Sequence, residues 1–318
     1  MHNNGKPNPP GQALDVVVIG EALIDVVTTP EGTHEHPGGS PANVAYGLAL
    51  LGVSTGLLTS MGTDHRGDVL EEHLTGAGVT LLPGSRSLER TSTATATLGR
   101  DGSASYAFDI DWDVEPLDPA LPRPRIVHTG SIASFLPPGA GSVKAMLQEL
   151  RSGCIITYDP NIRPALLGTH AEARRTFEEL VQLSTVVKLS DEDAAWLYPG
   201  KTLEETATHI LDLGAELAVI TRGSSGSLLA TSSTTLSIPA VKTSVVDTIG
   251  AGDSYMAALI LGLLTRGTGG LAPSVLDQLG RTAAAAAAIT VSRAGARPPT
   301  EDELRTQLQH QYLLHSHA

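Results

Sequence analysis

Short apolar segments alternate with segments of helical period along most of the chain. Buried strands are predicted at LDVVVIG (14–20), TGLLTSM (55–61), IVHTGSI (126–132) and CIITYD (154–159), where aliphatic and β-branched residues run together. Helical patterns lie between them, for example at 170–183. Strands that alternate with helices pair in parallel, because each helix returns the chain to the same end of the sheet. We therefore predict an α/β fold with a mainly parallel sheet covered by helices on both faces.

One region departs from this alternation. Residues 91–108 read TSTATATLGRDGSASYAF, small and β-branched residues interrupted by Asp101-Gly102, which is typical of a β-hairpin. We predict that this hairpin belongs to a discontinuous β lid, made of residues 23–37 and 90–112. The α/β core would then consist of residues 1–22, 38–89 and 113–318.

The charge balance argues against two classes of partner. Lys and Arg number 21 against 34 for Asp and Glu, and the net charge of −13 repels nucleic acid and anionic membrane surfaces. A small phosphate-bearing ligand is still compatible, since a few backbone N–H groups can hold it. The longest apolar run (256–264) is too short to span a membrane, and the polar N-terminus shows no secretory signal, so we expect a cytoplasmic protein. The single cysteine, Cys154, lies in an apolar run and is predicted to be a core thiol.

The stretch Asp247-Thr-Ile-Gly-Ala-Gly-Asp253 precedes an apolar helical segment. Its glycines allow the backbone to approach an anion closely, and the free N–H groups at a helix start attract negative charge. Asp253 could then accept the proton of a hydroxyl that attacks a phosphoryl group. Asp is also a common N-cap residue, and these residues alone leave both interpretations open.

Two other nucleotide-binding motifs are incomplete. The segment from Gly62 to Gly67 is followed by Asp68, where a P-loop requires lysine. A dinucleotide fingerprint starting at Gly250 would need a third glycine where the chain has Tyr255.

The segments GGSPANVAYGLALLG (38–52) and DTIGAGDSYMAALILGLL (247–264) resemble the two signatures of the ribokinase-like sugar kinases, the phosphofructokinase B family. The resemblance extends over nearly the whole chain. It implies a ribokinase-like fold, a Rossmann-like three-layer α/β/α core with a small β-sheet lid. It also implies ATP as phosphoryl donor with Mg²⁺, Asp253 as catalytic base, and an anion hole formed by Gly250, Ala251 and Gly252.

The resemblance assigns further nucleotide positions. TRGSSG resembles the nucleotide loop of the family, and KLSDED stands where the family often has N-x-x-E. The nucleotide would meet Lys188, Ser190, Thr221, Gly223, Gly226 and Gly252. Asp193 would orient Mg²⁺ through water, although it is shorter than the family's glutamate and Glu192 could replace it. Read without the resemblance, these segments are a turn and a helix cap.

The remaining site positions follow from the same resemblance. In DPNIRP, Arg163 would pair with the transferred phosphate, although a surface ion pair is the alternative. The sugar hydroxyls would be bound by Asp25, Gly38, Gly39 and Asn43. Oxygens of Asp247 and Ile249, with a later loop at 292–296, would hold a monovalent cation such as K⁺. Pro299 stands where a hydroxyl ligand of that cation is often found, and Thr300 is next to it.

Together these motifs predict an ATP-dependent kinase for a primary hydroxyl of a monosaccharide. GEALID, HTGSIAS, DPNIRP and VVKLSDED look most similar to fructokinases. Ribose and 2-keto-3-deoxygluconate are alternative substrates on the same scaffold. An inactive sugar- or nucleotide-binding regulator is a second class, motivated by the departures at Ser190 and Asp193. We also expect a homodimer formed through the lid, whose strands are rich in Thr, Ala and Val.

Overall fold

The computed structural model describes residues 13–30, 32–98 and 104–316. The strands of these residues are β1 (Val16–Ile19), β2 (Leu23–Thr29), β3 (Gly32–Gly38), β4 (Thr55–Leu58), β5 (Met61–Gly62), β6 (Thr80–Leu81), β7 (Arg86–Leu88), β8 (Thr93–Leu98), β9 (Ala104–Asp109), β10 (Ile126–Gly130), β11 (Ile155–Asp159), β12 (Val186–Ser190), β13 (Leu217–Thr221), β14 (Ser227–Ala230) and β15 (Thr235–Ile238). The helices are α1 (Ser40–Leu50), α2 (His65–Gly76), α3 (Gly139–Leu150), α4 (His170–Val181), α5 (Asp191–Leu197), α6 (Leu203–Asp212), α7 (Ala251–Arg266), α8 (Pro273–Val291) and α9 (Glu301–Ser316).

The large sheet has the strand order β15-β14-β13-β12-β11-β10-β1-β4-β6. The strands from β13 to β6 pair in parallel, whereas β14 and β15 add an antiparallel edge. The predicted mainly parallel sheet is therefore confirmed. Its parallel strands bring their carboxyl ends to one edge, where open α/β sheets bind ligands.

Alternate residues of β1 belong to two halves of the core. Val16 and Val18 belong to the half that includes residues of α1, α2, α7, α8 and α9, whereas Val17 and Ile19 belong to the half that includes residues of α3, α4, α5 and α6. All four valine and isoleucine side chains are buried, as expected for a strand covered on both faces. Cys154 lies in the second half, where its thiol donates to the Pro124 carbonyl, so the predicted core thiol is confirmed.

The second sheet has four strands in the order β3-β2-β8-β9. The predicted hairpin is present as the antiparallel pair of β8 and β9, while its expected turn at Asp101-Gly102 lies outside the described residues. Three residues separate the end of β1 from the start of β2, so this sheet emerges next to the carboxyl edge of the core. Its role as a lid and the boundaries given above stay predictions.

The predicted strand at 55–61 is shorter than expected. It ends at Leu58 because the Thr59 N–H turns to the Ser85 hydroxyl and the Met61 N–H to the Ser85 carbonyl, so the chain leaves the large sheet. β5 then pairs with β7 in a separate two-stranded sheet. Among the helices of the described residues, none is long and apolar enough to cross a membrane.

Candidate active site

The start of helix α7 lies at the carboxyl edge of the large sheet. Gly250 is its N-cap and has a left-handed backbone with φ of +75°. A Cβ atom at this position would lie 2.7 Å from Ala296 Cβ, so both the conformation and the space favour glycine. Asp253 is the third residue of α7, and no side chain caps this helix end. The N-cap interpretation of Asp253 is therefore wrong.

The Asp253 carboxylate is held by two side chains at the start of helix α1. The Ser40 hydroxyl donates to Oδ1 at 2.6 Å, and the Asn43 amide donates to Oδ2 at 2.9 Å. Burial raises the pKa of Asp253, while these two hydrogen bonds oppose the increase because they stabilise the ionised form. The carboxylate is thus oriented and set above its ordinary pKa, as a general base requires.

Ser40 is a candidate site residue that the sequence analysis did not identify. Ser40 and Asn43 are three residues apart on α1, so their side chains share one face of the helix. The three-residue spacing of Ser40 and Asn43 within GGSPANVA is the sequence signal that could have identified Ser40. Asn43 was expected to bind the sugar, and in the structure its amide contacts the catalytic candidate Asp253.

A buried ion pair lies behind the start of α7. Lys188 Nζ is 2.8 Å from Asp159 Oδ2, and the two side chains are 4% and 5% exposed. A Cβ atom at Gly252 would lie 3.6 Å from the same Nζ, so the cation lies next to the predicted anion hole. The Lys188 charge lowers the pKa of Asp253, whereas the Asp159 charge raises it. The Ala251 N–H donates within the turn to the Thr248 carbonyl.

Asp25 is a residue of the second sheet that lies in the candidate site. Its carboxylate lies against Gly38, where any Cβ atom would overlap Asp25 Oδ2. Burial raises the pKa of Asp25 to about 6, the charges of His36 and Arg163 lower it, and the charge of Asp253 raises it. Asp25 therefore lies within electrostatic range of both Arg163 and Asp253.

Gly39 and Arg163 complete this side of the site. Gly39 has a φ of +99°, and a Cβ atom there would overlap the Glu21 carbonyl oxygen. Arg163 is exposed, and its guanidinium donates to the carbonyl of Ile162 at 3.0 Å. The Arg163 charge is therefore accessible to an anion from solvent.

The predicted nucleotide positions lie on two neighbouring strands. Ser190 at the end of β12 is the register partner of Thr221 at the end of β13. Gly223 and Gly226 follow with φ of +49° and +87°, and they form the turn into β14. The Thr221 hydroxyl donates to the Leu189 carbonyl at 3.4 Å. These residues share the carboxyl edge with Asp253 without contacting it.

Ser190 and Asp193 form a complete capping box at the start of α5. Asp193 is buried, and its two oxygens accept the N–H groups of Ile162 and Ser190 at 2.9 and 3.0 Å. This links the end of β12 to the segment that contains Arg163. Glu192 in the same helical turn is exposed.

Asp247 connects the two loops predicted to hold a monovalent cation. Its carboxylate accepts the Ile249 N–H at 3.0 Å and the Gly295 N–H at 2.8 Å. Both hydrogen bonds lower the pKa of Asp247. Among the described residues there is no group of three or more His, Cys, Asp or Glu side chains that could hold a metal ion. A Mg²⁺ ion here would depend on phosphate oxygens and water for most of its ligands.

Comparison with known proteins assigns the chain to a class. Residues 13–303 match the model of the pfkB family carbohydrate kinases, and the chain belongs to this family. It is therefore a sugar kinase with the ribokinase-like fold, as the sequence signatures predicted.

Individual relatives are similar over almost their full lengths. The chain is 30% identical to a probable fructokinase-4 of Arabidopsis thaliana, with 94% of this chain and 98% of the relative covered. It is 30% identical to a fructokinase of Klebsiella pneumoniae, with 92% and 98% covered. The crystal structure of a fructokinase with bound ATP from Xylella fastidiosa superposes with a TM-score of 0.81 at 23% identity, covering 94% of this chain and 99% of that chain.

Proposed function

We propose that this chain transfers the γ-phosphate of ATP to a primary hydroxyl of a monosaccharide, and that the monosaccharide is fructose. The observation that supports this best is the buried Asp253 at the start of α7, held through both oxygens by Ser40 and Asn43. A carboxylate fixed beside a helix start has a role in phosphoryl transfer, because the base and the anion site must be adjacent.

In this mechanism Asp253 accepts the proton of the sugar hydroxyl as the hydroxyl oxygen attacks the γ-phosphorus. The bond from phosphorus to the bridging oxygen breaks, and ADP leaves with that electron pair. Ser40 and Asn43 orient the carboxylate, so little reorganisation is needed at the moment of transfer. The proton leaves later, when Asp253 returns to its ionised form.

Several positive groups face the transferred phosphoryl group. Gly250, Ala251 and Gly252 form the start of α7, whose dipole favours negative charge. Lys188 lies next to Gly252, and Arg163 approaches from the segment after β11. Mg²⁺ bound with ATP would neutralise further phosphate charge, and the carboxylates at the start of α5, Asp193 through water or its exposed neighbour Glu192, are the groups that would orient it.

The nucleotide is assigned to the edge formed by β12 and β13. Ser190 and Thr221 are adjacent there, with Lys188 on the same strand as Ser190. Gly223 and Gly226 leave the turn after β13 without side chains, which allows ribose or phosphate to approach the backbone.

The sugar is assigned to the space between the second sheet and the core. Asp25 and Asn43 supply a carboxylate and an amide for hydroxyl groups, and Gly38 and Gly39 allow close approach of the backbone. Fructose is supported by the names of the relatives that are 30% identical over more than nine-tenths of this chain. Ribose and 2-keto-3-deoxygluconate remain the alternative substrates.

Two further features complete the proposal. The loops joined by Asp247, with the carbonyl oxygens of residues 247–249, would bind K⁺ beside the anion hole.

The second sheet would act as a lid and as the contact of a homodimer. In its support, Val27, Ala96 and Tyr106 lie side by side on one face of that sheet, and Tyr106 is 68% exposed.

The inactive-regulator alternative is tested by sugar-dependent consumption of ATP. Ser190 and Asp193, the two departures from the family pattern, satisfy each other in a capping box. The discriminating experiment is a coupled ADP-release assay with ATP and Mg²⁺ against fructose, ribose and 2-keto-3-deoxygluconate, with and without K⁺. Sugar-dependent ADP release that is fastest with fructose is expected. Release with another sugar would change only the substrate, and no release with any sugar would contradict the proposed function.

A further inference from the structure

A strained turn follows strand β10 at the carboxyl edge of the sheet. It is the 3₁₀ turn Ser131–Ser134, and its first residue has a φ of +54° although it is not glycine. Asn161, after the neighbouring strand β11, also has a positive φ, of +39°. Such conformations are unfavourable for residues other than glycine and persist only where surrounding contacts hold them.

The contacts that hold this turn come from Glu21. This side chain is 3% exposed, and its Oε2 accepts the Ala133 N–H at 3.2 Å. Hydrogen bonding with the Ser131 side chain also lowers the pKa of Glu21. Ser131 Oγ in turn accepts from the Asn161 amide at 3.5 Å. A chain of hydrogen bonds therefore runs from Glu21 through Ser131 to Asn161, two residues before Arg163.

A second side chain holds the same turn from its other side. Trp112 Nε1 donates to the Ala133 carbonyl at 3.0 Å, and the indole is buried. Ala133 is thus held at its N–H by Glu21 and at its carbonyl by Trp112. Both contacts are long-range, and they add to the local hydrogen bond from the Ser134 hydroxyl to the Ser131 carbonyl at 2.6 Å.

The turn lies between Gly39, which is assigned to the sugar, and the segment of Arg163, which is assigned to the transferred phosphate. The Glu21 carbonyl oxygen lies against Gly39, and the hydrogen-bonded Asn161 leads into Arg163. Asp253 is close enough for its charge to raise the pKa of Glu21. Glu21 is therefore placed under the sugar site without a surface through which it could itself touch a sugar.

We propose that Glu21 is a positioning residue that holds the Ser131–Ser134 turn, and through Ser131 the segment containing Arg163, as the floor of the sugar site. This inference rests on the proposed sugar-kinase function for its kinetic consequences only. Burial raises the pKa of Glu21 to about 8, so the side chain is mostly protonated at neutral pH. A neutral side chain of similar shape that keeps an acceptor oxygen should therefore hold the turn as Glu21 does.

The test compares Glu21→Gln, which keeps the acceptor, with Glu21→Met, which has a similar shape and no comparable acceptor. Glu21→Met should raise the KM for the sugar about 10- to 100-fold, because a buried N–H loses its partner and the turn shifts, while the KM for ATP stays within about 3-fold. Glu21→Gln should restore the sugar KM to within about 3-fold. Thr206→Val, at a buried hydroxyl on α6 far from this turn, is the control for loss of stability alone.

Amide hydrogen exchange supplies a readout that needs no turnover. Residues 131–134 should exchange about 10-fold faster or more in Glu21→Met than in Glu21→Gln, with exchange of α6 unchanged. If Glu21→Met does not fold, Trp112→Phe removes the other hydrogen bond to Ala133 and should give the same increase in sugar KM and in exchange.

The inference is overturned if the folded Met variant keeps the parental sugar KM and exchange rates. It is also overturned if the Gln variant is as defective as the Met variant, because the charge rather than the acceptor would then matter. A parent enzyme that phosphorylates no sugar contradicts the proposed function instead, and the exchange rates still decide whether Glu21 holds the turn.

Discussion

The Ser40 hydroxyl donates to Asp253 Oδ1 at 2.6 Å, although the two residues are 213 positions apart in the chain. This contact joins the start of α1 to the start of α7, which are the two helices that carry the sequence signatures. The hydrogen bond stabilises the ionised carboxylate, the form that can accept a proton.

Replacing Ser40 by Ala should therefore move the acid limb of the pH profile of kcat/KM to higher pH. Without the donor, burial dominates and the pKa of Asp253 increases further, so a larger fraction is protonated at a given acidic pH. A shift of about 1 to 2 pH units is expected from the loss of one hydrogen bond to a charged group. Ser184→Ala, a buried hydroxyl at the end of α4, should leave the profile in place. An unchanged acid limb in Ser40→Ala would contradict this role.

Replacing Gly250 by Ala should abolish most activity. The left-handed φ of +75° is unfavourable for alanine, and its Cβ would meet Ala296 at 2.7 Å, so the start of α7 must shift. A loss of about 100-fold or more in kcat is expected from displacement of the anion site. Gly141→Ala in α3, where a Cβ atom meets nothing within 4 Å, should keep parental kcat. Near-parental kcat in Gly250→Ala would argue against an anion hole at this position.

Variants of the buried pair Lys188 and Asp159 should distinguish the effect of this pair on the free energy of unfolding from its effect on activity. Lys188→Met leaves Asp159 as an unpaired buried charge and should lower the free energy of unfolding by about 3–5 kcal/mol. Adding Asp159→Asn should recover much of this loss, because the remaining charge is removed. Activity should stay low in the double variant, since the cation beside Gly252 is still absent. Urea unfolding and kcat measured on the same samples check both statements, and a double variant with parental kcat would exclude an electrostatic role for Lys188.

The ionisation of Asp25 should be visible in sugar binding. Its pKa is about 6, raised chiefly by burial, so the carboxylate becomes protonated as the pH falls through this value. A protonated Asp25 accepts hydrogen bonds from sugar hydroxyls less well, and the KM for the sugar should rise below about pH 6 while the KM for ATP changes little. Asp25→Asn should show a high sugar KM that no longer depends on pH in this range. A sugar KM in Asp25→Asn that still rises below pH 6 would assign the effect to another group.

The sequence predicted the fold and drew attention to Asp253 because both depend on local patterns, although those patterns alone left the role of Asp253 open. Strand-length apolar runs and the glycines before Asp253 are visible within short windows. Ser40 and Glu21 were not predicted, since their partners are 213 and 112 residues away and their roles arise only when the sheet assembles. The early end of β4 was not predicted for a related reason. Ser85, which accepts the Thr59 N–H and so redirects the chain, is 26 residues away from Thr59.

The most direct test of the account is sugar-dependent ADP release by the Asp253→Asn variant. The variant should fold and bind ATP as the parent does, because asparagine has nearly the same shape and its oxygen can still accept from Ser40. Its kcat with fructose should fall by about 10²- to 10⁴-fold, the contribution of a general base in phosphoryl transfer. A folded variant that binds ATP and keeps near-parental turnover would contradict the assignment of Asp253 as the catalytic base.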